Sequence, residues 1–171
     1  MCMNLLNFDA LLPTYLPNKG DVCILYESTK KIIIETNFNY FLHSQYKFAK
    51  ENQYYYSNLF SRILKHKKNL PHYINGSVYI PIKIRKPLIK TDSASGIVKL
   101  DCISKVNNSS ITLKSGVVIN YSMNLKTLNT HYKEGLLIKS IMETEKVKNL
   151  TKEHSLNEQF LAYYLKRLLD N

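Results

Sequence analysis

The chain has no tryptophan, five glycines and three arginines, and no apolar run near the ~20 residues that span a bilayer. With glycine this scarce there is no G-x-G-x-x-G or Walker loop, so no nucleotide cradle is visible. Cysteine is scarce as well. Cys2, Cys23 and Cys102 are odd in number, far apart and free of any C-x-x-C, which argues against a disulfide framework and a thiolate zinc site. Cys23 and Cys102 fall in apolar strand patterns and are expected as buried free thiols. The five histidines, His43, His66, His72, His131 and His154, show no H-E-x-x-H or paired spacing, so no metal is expected. Only Asp92 and Asp101 lie between Asp21 and Asp170 among the aspartates, and no G-x-S-x-G elbow occurs. These shortages predict a protein that is not an enzyme and uses no cofactor. The first residues, MCMNLLNFDALLPTYLPNKGD, lack a basic n-region, so they do not read as a signal peptide. A cytoplasmic, nucleoid-associated protein without membrane contact is the expectation.

What is present is apolar content and positive charge. At 171 residues and 44% hydrophobic, the chain can bury a core. It suits one domain over 1–143, followed by a connector and C-terminal helix over 144–171. The formal charge is +11, and it is not spread evenly. From Gln45 to Lys105 there are twelve basic residues against three acidic ones, a net of +9. Abundant lysine, asparagine, isoleucine and tyrosine fit the coding bias of an AT-rich genome, but such a bias does not explain clustering. A basic charge gathered in one third of the chain points to a polyanion partner.

Periodicity places the elements. Residues 1–20 contain Pro13 and Pro17 and predict an irregular arm. Asp21–Tyr26 and Lys31–Thr36 read as a hairpin across Glu27–Lys30. Phe38, Phe41, Leu42, Tyr46 and Ala49 mark a helix capped by Asn37, and Leu59, Phe60, Ile63 and Leu64 a further helical turn or two. Pro71, Asn75 and Gly76 read as a loop. Ser77–Ile82 reads as a strand that Pro81 confines to an edge or strand end. Lys83–Lys90 alternates basic and apolar residues, with Lys83, Arg85 and Pro87 on one face. Asp92–Gly96 is a loop; strands follow at Ile97–Ile103, Ser110–Leu113 and Val117–Ser122, the last two joined at Lys114-Ser115-Gly116. Ser122 or Asn124 caps a helix through Leu125, Leu128, Tyr132, Leu136 and Ile141, with Gly135 inside it. Ser155-x-x-Glu158 opens a C-terminal amphipathic helix whose stripe of Phe160, Leu161, Leu165 and Leu168 is either core or an oligomer seam. The fold class is α+β, with an antiparallel sheet of five to six strands and about three helices.

The order of these features between Tyr40 and Ile138 resembles the ComK family of competence transcription factors. Ser44-Gln45-Tyr46-Lys47-Phe48 is similar to the family's Ser-Cys-Arg-Phe helix, and His66–Pro71 to its Lys-x-Pro segment. Val78-Tyr79-Ile80-Pro81-Ile82 resembles its Phe-Phe-Pro-Thr strand, and Ser110–Gly116 its Thr-x-Val-x-Phe-x-Asn-Gly hairpin. The chain departs from the pattern at Gln45, where the family has cysteine, near Ile97, where it has tryptophan, and at Glu134, near the arginine of its later helix. The resemblance implies an activator of DNA-uptake and transformation genes. It would bind AT-rich double-stranded DNA mainly through the minor groove, as a homodimer or higher oligomer, and be controlled through a protease adaptor. On that reading Lys65, Lys67, Lys68, Lys83, Lys86 and Lys90 meet phosphates. Arg85 and Arg62 enter the minor groove, where a weakly hydrated guanidinium suits the concentrated negative potential. A regulatory paralogue without DNA binding, acting on a related activator or adaptor, is the alternative. Single-stranded nucleic acid stacking on the interleaved tyrosines is a third.

Overall fold

A computed structural model describes residues 7–144. The chain divides into two compact units, residues 1–136 and 137–171, and the described part of the second is the end of one helix. The C-terminal stripe at Phe160, Leu161, Leu165 and Leu168 lies outside the described residues.

The first three strands, β1 (Ala10–Leu16), β2 (Gly20–Glu27) and β3 (Lys30–Ile34), form an antiparallel meander. Helices α1 (Phe38–Phe48) and α2 (Gln53–Leu64) follow, then β4 (His72–Ile74), β5 (Ser77–Lys83) and β6 (Ser95–Lys99). These six strands make one antiparallel sheet in the order β3-β2-β1-β6-β5-β4. After a 3-10 turn at Leu100–Cys102, β7 (Ile103–Val106), β8 (Ser110–Leu113) and β9 (Val118–Asn120) form a second, three-stranded antiparallel sheet. A third helix, α3, covers residues 125–144. The class is α+β, with three α-helices among the described residues.

Several elements depart from the sequence expectation, each for a physical reason. Residues 10–16 are not an arm but a strand inside the larger sheet. Ala10, Leu11, Leu12 and Pro13 are all buried, so β1 lacks the one-sided alternation that marks a half-exposed strand. Pro13 is tolerated because β6 pairs β1 only at Ala10 and Leu11, leaving the rest of β1 an edge on that side. The same logic holds at Pro81. β4 pairs β5 only as far as Tyr79, so β5 is an edge where the proline stands. The loop expected at Asn75-Gly76 is a tight hairpin turn, both residues at positive φ (47° and 75°), which asparagine and glycine adopt most readily. The alternation from Lys83 to Lys90 does not continue a strand: β5 stops at Lys83 and an irregular loop follows. Ile97–Ile103 is broken by the 3-10 turn, so its two halves belong to different sheets.

Local signals elsewhere hold. Asn37 Oδ1 accepts from Tyr40 N–H at 2.9 Å, and Asn124 Oδ1 from Thr127 N–H at 2.7 Å, so both helices start where a short acceptor is available. Between them α2 starts at Asn52, whose Oδ1 accepts from Tyr55 N–H at 3.0 Å. Its three turns extend the one or two expected from Leu59–Leu64.

The core lies on both faces of the larger sheet. On one face α1 buries Phe38, Phe41, Leu42 and Tyr46 against β1 and β2, together with Phe8, Leu11 and Tyr79. Burying a side chain such as Phe41 or Leu42 stabilises by roughly 1.5–3 kcal/mol relative to exposing it. Tyr79 and Ile80 alternate across β5, so Ile80 faces the other side, where residues 125–136 of α3 lie. Leu128, His131 and Gly135 are the buried positions there, and His131 Nδ1 donates to Pro81 O at 2.8 Å. Gly135 is required for contact: a Cβ there would stand 2.6 Å from Ile80 Cγ2. The helix presses its backbone onto the sheet at that point.

Candidate nucleic-acid interface

The basic segment begins where α2 ends. Lys65 stops the helix by adopting a left-handed conformation (φ 59°, ψ 26°). Lys65, Lys67 and Lys68 then project into solvent, and Arg62 is exposed one turn earlier. His66, between these lysines and half-exposed, reaches toward α3. Its Nε2 lies 2.9 Å from Glu134 Oε1 on α3. The contact anchors the lysine-bearing turn to the helix, beside Lys133.

Glu134 is the acidic partner in this contact. Its side chain is 16% exposed and directed at His66, so its charge faces the turn. Its second oxygen, Oε2, is buried without a hydrogen-bond partner. An acidic residue in this place therefore braces the basic turn.

Helix α3 contributes cations that sequence reasoning passed over. Lys126, Asn129, Thr130 and Lys133 are exposed and, with Leu125, line a shallow open groove of about 450 Å³. Lys126 and Lys133 are seven residues apart, two turns on one face, roughly 10 Å along the axis. That i, i+7 spacing, with polar residues between, was the available signal. It lay outside the segment of highest charge density. At the other end, Ser122 N–H donates to Lys83 O at 2.7 Å, which sets Lys83 beside the start of α3. The turn that bears Lys65, Lys67 and Lys68 is thus tied to α3, which adds Lys126 and Lys133, while Lys67 lines a groove with Phe38 and Leu42 of α1 and Lys83 shares the β5 face of Tyr79.

Arg85 does not join them. Its Nη2 donates to Asp21 Oδ1 at 2.5 Å, its Nε to Ser93 O at 2.8 Å, and its guanidinium carbon lies 4.0 Å from the Tyr15 ring centroid. The Arg85 and Asp21 side chains are 12% and 14% exposed. A guanidinium engaged on three sides is not presented to a groove, which corrects the expectation of a free Arg85. Its neighbours Lys86 and Lys90 are exposed on the loop between β5 and β6. Of the two arginines among the described residues, Arg62 is the exposed one.

Most tyrosines of the basic stretch are packing residues. Tyr46, Tyr73 and Tyr79 are buried, with Tyr79 at 4.8 Å from Phe8 between ring centroids. Tyr54 is 75% exposed and lines an open groove between α1 and α2 with His43, Lys47 and Lys50.

Reactive chemistry is not favoured by the ionisable groups. Burial, then the charge of Asp21, pushes the Cys23 thiol up to about 12. Burial and the hydrogen bond to Asp9 push Cys102 up to about 11, so neither thiol offers thiolate at neutral pH. Burial holds His72 down to about 4. Among the described residues no three His, Cys, Asp or Glu side chains gather to hold a metal ion, and no helix is long and apolar enough to cross a membrane.

No family model, curated protein or solved structure matches the chain.

Proposed function

We propose that the protein is a DNA-binding transcriptional regulator of the ComK type, an activator of DNA-uptake genes that binds AT-rich duplex. The observation that supports this reading most is the link between two exposed basic elements: the turn bearing Lys65, Lys67 and Lys68 is tied through His66 and Glu134 to α3, which bears Lys126 and Lys133. Lysines in such an array neutralise phosphates and release counterions, a contribution to affinity that is independent of sequence. Preference for A·T pairs then falls to Arg62, whose guanidinium is free to enter a narrow minor groove. Homodimerisation and handling by a protease adaptor complete the reading, as the resemblance implies.

The test is fluorescence-anisotropy titration of the full chain with an AT-box duplex and a random duplex at two salt concentrations. Binding that weakens steeply with salt and favours the AT-box supports the reading. No binding at low salt overturns it in favour of a regulatory paralogue that acts by protein–protein contact. Competition by single-stranded DNA stronger than by duplex would move the site to the groove of Tyr54, Lys47 and Lys50.

A further inference from the structure

The loop between β5 and β6 leaves two large apolar side chains in solvent: Leu88 is 78% exposed and Ile89 63%. They are flanked by Pro87 and by two exposed lysines, Lys86 and Lys90. The loop is held firmly behind its tip. Tyr15 on β1 accepts from Leu88 N–H through its hydroxyl at 2.7 Å and donates that hydroxyl to Asp92 Oδ2 at 2.7 Å. Asp92 N–H donates to Ile89 O at 3.1 Å, closing the turn over the tip. Arg85 lies over the Tyr15 ring and bonds Asp21 and Ser93 O, while Ile84 and Arg85 N–H groups both reach Ala94 O. The base of the loop is a fixed polar scaffold, and its tip is bare hydrocarbon between two cations.

Two side chains are far short of the ~800 Å² that each partner gives to a stable protein interface. They match the size of the apolar wedges that enter a single base step, where a stiff mount and flanking phosphate contacts are needed. We propose that Leu88 and Ile89 are an intercalating wedge that partly unstacks one base-pair step of bound duplex and kinks it, with Lys86 and Lys90 on the adjacent phosphates. The proposal rests on the DNA-binding reading above. It assigns the Arg85–Tyr15–Asp21–Asp92 network to mounting the wedge. Pyrimidine–purine steps such as TA, common in AT-rich sites, unstack most easily, so the wedge would also contribute to sequence preference.

The experiment uses an AT-rich duplex with dyes at its ends for energy transfer and 2-aminopurine at a central TA step. Wild-type protein is expected to shorten the end-to-end distance and raise 2-aminopurine fluorescence. The double variant Leu88→Ala/Ile89→Ala alters exposed residues, so its melting temperature should match wild type. It should keep the salt slope, bind about tenfold more weakly and return both signals to those of free duplex. Tyr15→Phe keeps the tip but removes its two hydroxyl contacts, and should reduce the kink at an unchanged salt slope. Wild type that binds without kinking or unstacking overturns the wedge and leaves the DNA reading standing, as does a double variant that kinks normally. Absence of any duplex binding overturns both. If the double variant instead loses co-sedimentation with phosphatidylserine vesicles while kinking persists, the tip serves a lipid surface and the proposal fails.

Discussion

Replacing Arg85 by alanine should unfold the protein at lower denaturant, and the structure sets the size of the loss. The change removes a 2.5 Å ion pair whose side chains are 12% and 14% exposed, a hydrogen bond to Ser93 O and a cation–π contact at 4.0 Å. It also leaves Asp21 a carboxylate with little access to water and no cation opposite. Breaking one partner of a buried pair costs about 3–5 kcal/mol, and the residual exposure of both groups places this case near the lower end. The expected loss is about 3 kcal/mol, a melting shift of roughly 6–12 °C for a chain of this size. Arg85→Lys keeps the charge but lacks the planar fork and stacks poorly, so it should recover only part of the loss. Asp21→Asn should cost less in the Arg85→Ala background than in wild type, because the carboxylate no longer has a partner to lose. Urea unfolding followed by circular dichroism for the four proteins gives the cycle. A change within about 0.5 kcal/mol for Arg85→Ala would refute the argument, since that is the behaviour of an ordinary surface arginine.

Gly135→Ala should destabilise, against the usual helix gain of about 1 kcal/mol, because the new Cβ meets Ile80 Cγ2 at 2.6 Å. Overpacking of this kind costs about 1–3 kcal/mol, and equal or greater stability by urea titration would show that the helix can shift. His72, held down to about 4 when folded, stays neutral in the native state while the unfolded chain takes up a proton below the ordinary value of 6.5. Its contribution is therefore complete above about pH 6.5 and declines as pH falls toward 4; His72→Gln should flatten the urea-midpoint profile across that window. Lys126→Ala and Lys133→Ala should each reduce the salt slope of duplex binding by about one and weaken AT-box and random duplex alike. Arg62→Ala should instead narrow the ratio between those two duplexes, which anisotropy titration reads directly.

Where a feature depends on a few adjacent residues, the chain announces it. Asn37 and Asn124 cap their helices because a short acceptor can fold back on an N–H three residues ahead. The β8–β9 hairpin turns at Lys114-Ser115-Gly116 for a similarly local reason, with Gly116 at φ 86°. The Asn75-Gly76 turn was equally local, but β4 before it is only three residues long, so the turn read as a loop. β1 was hidden because burial on both faces erases alternation, and the sheet that buries it is assembled from β2 and the distant β6. The converse error lies at Lys83–Lys90, where alternation was present but no partner strand extends beyond Lys83.

By itself, the sequence determined the α+β class, the starts of α1 and α3, the later hairpin and the concentration of positive charge between Gln45 and Lys105. Those properties are sums over neighbours in the chain. Only the tertiary structure decided which cations are presented to solvent and which are paired. Contacts 64 and 68 residues apart in the chain, Arg85 to Asp21 and His66 to Glu134, withdraw one arginine from the surface and fasten the lysine turn to α3. One of the two arginines in the basic stretch became part of a scaffold, while Lys126 and Lys133, outside it, stand exposed on α3. Charge density along a chain is a local quantity. Whether a charge is presented or paired depends on what the fold brings against it.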